Sequence, residues 1–344
     1  MGADGALVRL ALFGSHLRNS PPPATRDRTS PWTTIGAAAP SQSCGTGDLA
    51  AFRADGFLLL RGLVPPEELE AVDRDSMALI ERGLAGRPLG DARWNYGEDP
   101  ANRSSPPISR RINGLSDEDM PPSFRLLLAY PPLLAVVAAL MADANGPSRA
   151  FAAGVPGALV FKVPFNGFPV PWHQDPVAIK RFPAFNLDVY LDDSDEENAC
   201  VWAIPGSHLG GYHQGTEAAA AHVASWTGGK EGAEVVGAVP VQAQRGDVLI
   251  HATSVLHGSG WNRSPRLRRT LYYHFDSWED VNLGGGYTTR SSNRSGSNAG
   301  AAGAGGRMSF GEAMHVTHEA VQLRKSARPS EKAFPFRYPA PSFD

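Results

Sequence analysis

The chain is poor in cysteine, in surplus basic charge and in long apolar runs. Only Cys44 and Cys200 occur in 344 residues. Two distant thiols outside any C-x-x-C pair exclude a disulfide framework or a cysteine-rich metal site, and point to a reducing compartment. Lys and Arg number 32 against 35 Asp and Glu, a net charge of -3, so nucleic acid has no electrostatic footing. No uninterrupted apolar run reaches about 18 residues, so no transmembrane span is expected. With 42% hydrophobic and 19% charged residues, the composition is that of a soluble intracellular protein of one large domain or two smaller ones.

What is there falls into four stretches. Residues 1–46 are rich in Pro, Ser, Thr and Gly without helical or strand periodicity, and read as a disordered leader. Folded sequence begins near Gly47. "AAFRADGFLLLRGLV" reads as a short helix, a turn at Asp55-Gly56 and a strand. "PPEELEAVDRDSMALIERG" has prolines and acids at its start and apolar Leu69, Val72, Leu79 and Ile80 on one stripe, which predicts a helix. A second helix is predicted from Pro131, with Leu133, Val136, Val137, Leu140 and Met141 together. From about Ala152 the pattern shifts to short apolar runs punctuated by Gly, Pro and Asp, which predicts a β-core flanked by helices. The folded domain extends over 47–283. Residues 284–308 read as a flexible Gly/Ser/Asn segment and 309–344 as a helix with a loosely held tail, Glu312 closing a capping box on Ser309.

The chemistry starts at "PWHQDPV". His173 and Asp175 are two residues apart, so in an extended strand both project the same way and both can bind one cation. Alone, such a pair is an ordinary polar feature. His257, 84 residues on and followed by Gly-Ser-Gly, supplies a third donor. Two imidazoles and one carboxylate on a β-scaffold form the ligand set of non-haem Fe(II) oxygenases. His251, six residues earlier, is the rival second imidazole. A 2-oxoglutarate co-substrate would need a cation for its distal carboxylate, and arginine pairs with carboxylates bidentately. "RSPRLRRTLYYHF" offers Arg263, Arg266, Arg268 and Arg269. Strand alternation puts Arg268, Thr270, Tyr272 and His274 on one face, with Arg269, Leu271, Tyr273 and Phe275 on the other. Alternation does not say which face looks inward.

"WHQD", "LDDSDEENACVWAIPGSH" and "LHGSGWNRSPRLRRTLYYHF", with "FRADGFLLLRGLV" upstream, together resemble the phytanoyl-CoA dioxygenase family over about Ala51 to Phe275. The resemblance implies a double-stranded β-helix (jelly-roll, cupin-like) core with flanking helices. It implies Fe(II), with 2-oxoglutarate and dioxygen as co-substrates and ascorbate as a candidate reductant. It assigns His173, Asp175 and His257 as iron ligands, and Arg268 and Ser259 to the distal carboxylate of 2-oxoglutarate. Gln174 and Arg111 are carried over as further co-substrate contacts. One position departs from the family: Asp188 stands where a tryptophan often flanks the co-substrate, which makes it a substrate-pocket candidate and puts the founding member's substrate in doubt. Asp175 favours hydroxylation, since related halogenases carry a small residue there. The expected reaction is hydroxylation of an unactivated C–H bond in a small organic substrate. The α-carbon of a fatty acyl-CoA leads, with a small polar metabolite or natural product as the alternative. A cupin-like metal enzyme without 2-oxoglutarate, or a binding protein without catalysis, are the rival classes.

The remaining features have plainer readings. His208, in "IPGSHLGG", is a loop residue and a second pocket candidate. "DDSDEEN" reads as a solvated turn without the EF-hand order of ligands. The other arginines read as solvent-facing charges, and Trp172 and Trp202 as packing residues. In the leader, "RLALFGSHL" at residues 9–17 sets Arg9-Leu10 five residues ahead of His16-Leu17. That fits an N-terminal peroxisomal signal, and with it an import receptor as partner. A mitochondrial presequence and a cytoplasmic location are the alternatives.

Overall fold

The computed structural model describes residues 46–85, 93–97, 108–145, 151–175, 184–213, 216–277, 287–288, 307–308 and 310–336. Apart from Thr46, the expected leader lies outside them, as do Cys44, most of the Gly/Ser-rich segment and Ser309 of the expected capping box.

Helix α1 (Thr46–Asp55) leads through Gly56 into β1 (Phe57–Leu60). Gly56 sits at φ +82°, a turn conformation that side chains with a Cβ resist. Helix α2 (Pro66–Ala85) opens on proline and two glutamates and buries Leu69, Val72, Leu79 and Ile80, as its periodicity requires. After β2 (Trp94–Gly97) and β3 (Ile108–Asn113) come α3 (Pro122–Leu128) and α4 (Pro131–Asn145). The strands then follow in quick succession: β4 (Phe151–Lys162), β5 (Val170–His173), β6 (Ala184–Tyr190) and β7 (Val201–Ala203). Helix α5 (Thr216–Thr227) precedes β8 (Val239–Val241), β9 (Val248–Ala252), β10 (His257–Ser259) and β11 (Arg268–Ser277). A short pair, β12 (Tyr287–Thr288) and β13 (Arg307–Met308), and helix α6 (Phe310–Ala327) complete the described elements.

Seven strands form one antiparallel sheet, ordered β1-β9-β6-β11-β4-β3-β2. Four form a second, ordered β5-β10-β7-β8 and also antiparallel. This is the double-stranded β-helix with flanking helices that the sequence led us to expect. The outer face of the large sheet carries Val248, Ile250, Phe185, Leu187, Val189, Leu271, Tyr273, Phe275 and Leu159. These pack with Leu69 and Ile80 of α2, Phe124 of α3, Leu133 and Val137 of α4 and Val321 of α6 in one buried cluster. The inner face meets the small sheet through Phe57, Tyr190 and Leu249 against Ala203, Val239 and Val241. No single described helix is long and apolar enough to cross a membrane. The apolar character of α4 is explained by the burial of Leu133, Leu134, Val136, Val137, Leu140 and Met141.

Three expectations need correction. The C-terminal helix is an integral part of the core: Thr317, Ala320 and Arg324 are buried. Arg324 forks onto Glu68 of α2 at 3.0 and 3.1 Å and onto Glu331 at 2.9 Å, while Phe334 and Phe336 pack against Phe151. The "DDSDEEN" turn is partly buried, because Asp195 accepts from the backbone N–H groups of Glu197 and Asn198 and pairs with Arg266 at 2.7 Å. Arg269 is likewise no surface charge. It is buried and pairs with Asp192 at 2.6 Å and Asp73 at 2.7 Å.

Candidate metal centre

His173 ends β5, His257 begins β10, and the two are register partners across the small sheet. Close approach of these strands depends on Gly258, where a Cβ would stand 2.9 Å from the Val170 carbonyl oxygen. Past His173 the backbone N–H of Asp175 donates to the Thr253 carbonyl at 2.9 Å, which turns the carboxylate back toward both rings. Asp175 Oδ1 lies 3.6 Å from His173 Nε2, and Oδ2 lies 3.8 Å from His257 Nε2. One donor atom from each of the three falls within 4.8 Å of the others, and among the described residues this is the group of His, Cys, Asp and Glu that converges in this way.

The tautomers suit a metal. His173 Nδ1 lies 2.9 Å from the Pro171 carbonyl and His257 Nδ1 3.1 Å from the Val255 carbonyl. A carbonyl only accepts, so the proton sits on Nδ1 in each ring and the Nε2 lone pair faces Asp175. Burial, reinforced by His173, pushes the pKa of His257 down to about 3 and keeps its imidazole neutral. Burial works against protonation of His173 too, but the adjoining Asp175 carboxylate outweighs it and raises its pKa. Burial works to raise the pKa of Asp175, yet the surrounding His257, His173 and His251 hold it far below the usual carboxylate range.

The inner face of the large sheet forms the opposite wall. His251 of β9, Asn186 of β6 and His274 of β11 are register partners in one row. Asn186 is fully buried and its Nδ2 donates to Asp175 Oδ2. Its Oδ1 lies 2.7 Å from His274 Nδ1, and His274 Nε2 lies 3.1 Å from Asp276 Oδ2. On the other side, His251 Nε2 lies 3.4 Å from Asp188 Oδ2, while its Nδ1 points toward Asp175 Oδ2 at 3.9 Å. Asp188, the residue at the family's tryptophan position, thus meets a histidine within its own fold. His251 borders the trio without joining the converging group.

Further along the same face lies Arg268, only 3% exposed. Its Nη1 donates to the Ala199 carbonyl, its Nε has no partner, and no carboxylate pairs with it among the described residues. Burial lowers its pKa, the cost of a cation that lacks an anion. Tyr190 Oη, Thr270 Oγ1 and Asp188 Oδ1 are also buried and unpartnered. Lys162, the register partner of Arg268 on β4, donates to the Phe168 and Gly260 carbonyls at 2.5 and 2.6 Å. Burial and the neighbouring Arg268 push the pKa of Lys162 down to about 6. A buried guanidinium on the facing sheet, together with the two imidazoles and the carboxylate of the trio, is a donor set that suits a metal ion with a dicarboxylate. The unpartnered atoms between them are where such a ligand would bond.

Other candidates are distributed differently. Ser259 lies two residues past His257 on β10 and is half-buried. Arg111, on β3, reaches the inner face, its guanidinium 5.2 Å from the centre of the Tyr272 ring and its Nε 2.7 Å from Asn113 Oδ1. Gln174 is committed to backbone. It donates to the Gly211 and Ser254 carbonyls at 2.7 and 2.6 Å and accepts from the His213 N–H at 3.0 Å, tying the loop after β7 to the site. His208 is not brought to the trio; its Nε2 lies 3.1 Å from the Arg53 carbonyl of α1. A cavity of about 340 Å³ lies beside His173, walled by Trp172 and by Ala219, Ala220, Val223 and Ala224 of α5, with Lys230 and Glu231 in its lining. Asn186, His274 and Lys162 were missed as site residues. The available signal was polar side chains at alternating positions in otherwise apolar strands.

Comparison with known proteins agrees with the motifs. A probable alpha-ketoglutarate-dependent hypophosphite dioxygenase of Stutzerimonas stutzeri is 33% identical over 135 residues, 36% of this chain and 46% of that protein. Phytanoyl-CoA dioxygenase domain-containing protein 1 of Bos taurus is 32% identical over 121 residues, 33% of this chain and 42% of that protein. The chain therefore spans somewhat less than half the length of these curated relatives. The crystal structure of AviO1 from Streptomyces viridochromogenes superimposes with a TM-score of 0.53 at 29% identity, covering 67% of this chain and 93% of that one. Residues 52–270 match the family model described as Phytanoyl-CoA dioxygenase (PhyH), and the chain belongs to that family.

Proposed function

We propose that this chain is an Fe(II)- and 2-oxoglutarate-dependent dioxygenase that hydroxylates a C–H bond of a small organic substrate. The observation that carries the reading is the His173–Asp175–His257 trio together with a buried arginine on the facing sheet that pairs with no carboxylate among the described residues. Family membership and the 2-oxoglutarate dependence named for the Stutzerimonas relative support it. Bound Fe(II), 2-oxoglutarate and dioxygen supply the oxidising power. His173 and His257 offer Nε2 lone pairs and Asp175 a carboxylate oxygen to the metal. Arg268 offers guanidinium N–H donors, and Ser259 its hydroxyl, to the far carboxylate of 2-oxoglutarate. Tyr190 and Thr270 offer hydroxyls along the way. Burial of Asp175, Asn186 and Arg268 limits water on this face.

For the substrate, the fatty acyl-CoA reading draws on the family and on the apolar wall of the cavity beside His173. The small polar metabolite reading draws on Asp188, whose Oδ1 remains without a partner. Succinate release with Fe(II), 2-oxoglutarate and a panel of branched acyl-CoAs and polar metabolites decides between them. Asp175→Ala should abolish release on every substrate. Release that needs no 2-oxoglutarate, or that survives Asp175→Ala, overturns the reaction class. We also propose peroxisomal import through Arg9-Leu10 and His16-Leu17, residues outside those the structure describes. A fluorescent fusion that stays peroxisomal after Arg9 and His16 are changed to Ala would refute it.

A further inference from the structure

We infer that the row His251–Asn186–His274 positions the Asp175 carboxylate so that it offers a metal ion a single oxygen. The inference rests on the metal reading above and concerns how the site limits its own ligand set.

A row of three polar side chains buried inside a sheet is costly unless each is paired. Here the three are only 4%, 0% and 4% exposed, on three adjacent strands, at one register level. The two imidazoles differ in reach: His274 Nδ1 is within hydrogen-bond distance of Asn186, whereas His251 Nδ1 stands off Asp175 at 3.9 Å without a hydrogen bond. His274 has Asp276 on Nε2 and turns Nδ1 to Asn186; His251 has Asp188 on Nε2 and turns Nδ1 toward Asp175 Oδ2. A carboxylate lies beside the far nitrogen of each ring, Asp276 by His274 and Asp188 by His251. Asp188, in place of an aromatic residue, has a structural reason on this account: it orients His251.

The proton logic is fixed by Asn186. Its amide nitrogen donates to Asp175 Oδ2, so its oxygen faces His274 and can only accept, which makes His274 Nδ1 the donor. With Oδ2 engaged by Asn186, Asp175 has Oδ1 left for a metal. Asn186 is neutral, so it holds the carboxylate without neutralising it, and the full negative charge remains for the cation. A carboxylate binding through one oxygen, with two imidazoles, occupies three positions of an octahedron and leaves three for co-substrate and dioxygen. A carboxylate free to bind through both oxygens would take one of those three. Asn186 and His274 are therefore positioning residues, acting on the metal through Asp175.

The test uses the full chain and Co(II) alone, followed by its visible absorption, which reports coordination number as well as affinity. The wild-type protein should bind one Co(II). Asn186→Leu should weaken binding about 10- to 100-fold and change the spectrum. His274→Leu should act in the same direction, and His274→Asn, whose amide N–H replaces Nδ1–H, should restore most of the loss. The His274 pair decides the matter if Asn186→Leu does not fold. Folded Leu variants with wild-type affinity and spectrum, or a His274→Asn protein as weak as His274→Leu, would overturn the inference and leave the metal reading intact. A wild-type protein that takes up no Co(II) would overturn both.

Discussion

The two faces of the seven-stranded sheet treat the same amino acids in opposite ways. Arg268 and Arg269 are neighbours in β11, and both are buried. Arg269 faces outward into the helical layer, where Asp192 and Asp73 meet its guanidinium at 2.6 and 2.7 Å. Arg268 faces inward and, among the described residues, finds a backbone carbonyl but no carboxylate. Tyrosines divide in the same way. Tyr273 donates its hydroxyl to the Phe124 carbonyl at 2.9 Å on the outer side, whereas Tyr190 on the inner side has none. On the outer face Arg269 and Tyr273 are both matched from within the chain. The inner face leaves donors and acceptors over, and that surplus marks where a ligand belongs.

Exchanging each arginine for leucine should separate the faces most sharply. Arg268→Leu should weaken 2-oxoglutarate binding on the order of 10²- to 10³-fold while leaving the ligand-free protein at least as stable, because no buried anion is stranded. Binding by calorimetry and a thermal melt measure both halves; a large stability loss would blur the distinction. Arg269→Leu should do the reverse. It should cost on the order of 2–4 kcal/mol in denaturant unfolding, less than a fully enclosed pair since Asp73 and Asp192 keep some contact with water, and leave co-substrate affinity nearly unchanged.

Acidification should act on the inner face. His173 has a raised pKa, so below it a metal ion must displace a proton from Nε2. Affinity for Fe(II) or Co(II) should then fall by about tenfold per pH unit as pH drops, and level off above that pKa. His257, at about 3, adds nothing in the neutral range. A metal affinity flat from pH 5 to about 8 would contradict this assignment. The smallest effect belongs to the outer face: Tyr273→Phe removes one buried hydrogen bond and should shift unfolding by about 1 kcal/mol, with metal and co-substrate binding untouched.

Much of this was legible in the sequence, and for identifiable reasons. The period-two run from Arg268 to Phe275 displayed both faces of β11. Which face turned inward was not legible, because the answer depends on where the apolar residues of α2, α3, α4 and α6 go. Asn186 and His274 stood in the sequence as polar interruptions of apolar strands. Their partnership rests on the register of β6 with β11 across 88 residues, which no local pattern encodes. The burial of Arg269 and Arg324 was hidden for the same reason, since Asp73 and Glu68 lie 196 and 256 residues away in the chain.

The Arg324–Glu68 fork also bears on how the chain reaches its fold. One partner lies in α2, near the start of the described residues, and the other in α6, near their end; Arg328 adds a second contact to the same glutamate. During synthesis, Glu68 emerges long before either arginine, and the helical layer stays unsealed while every strand of the large sheet is made. The interval is one in which the apolar outer face is open to wrong partners, so the last helix acts as the latch on a container that has already been filled.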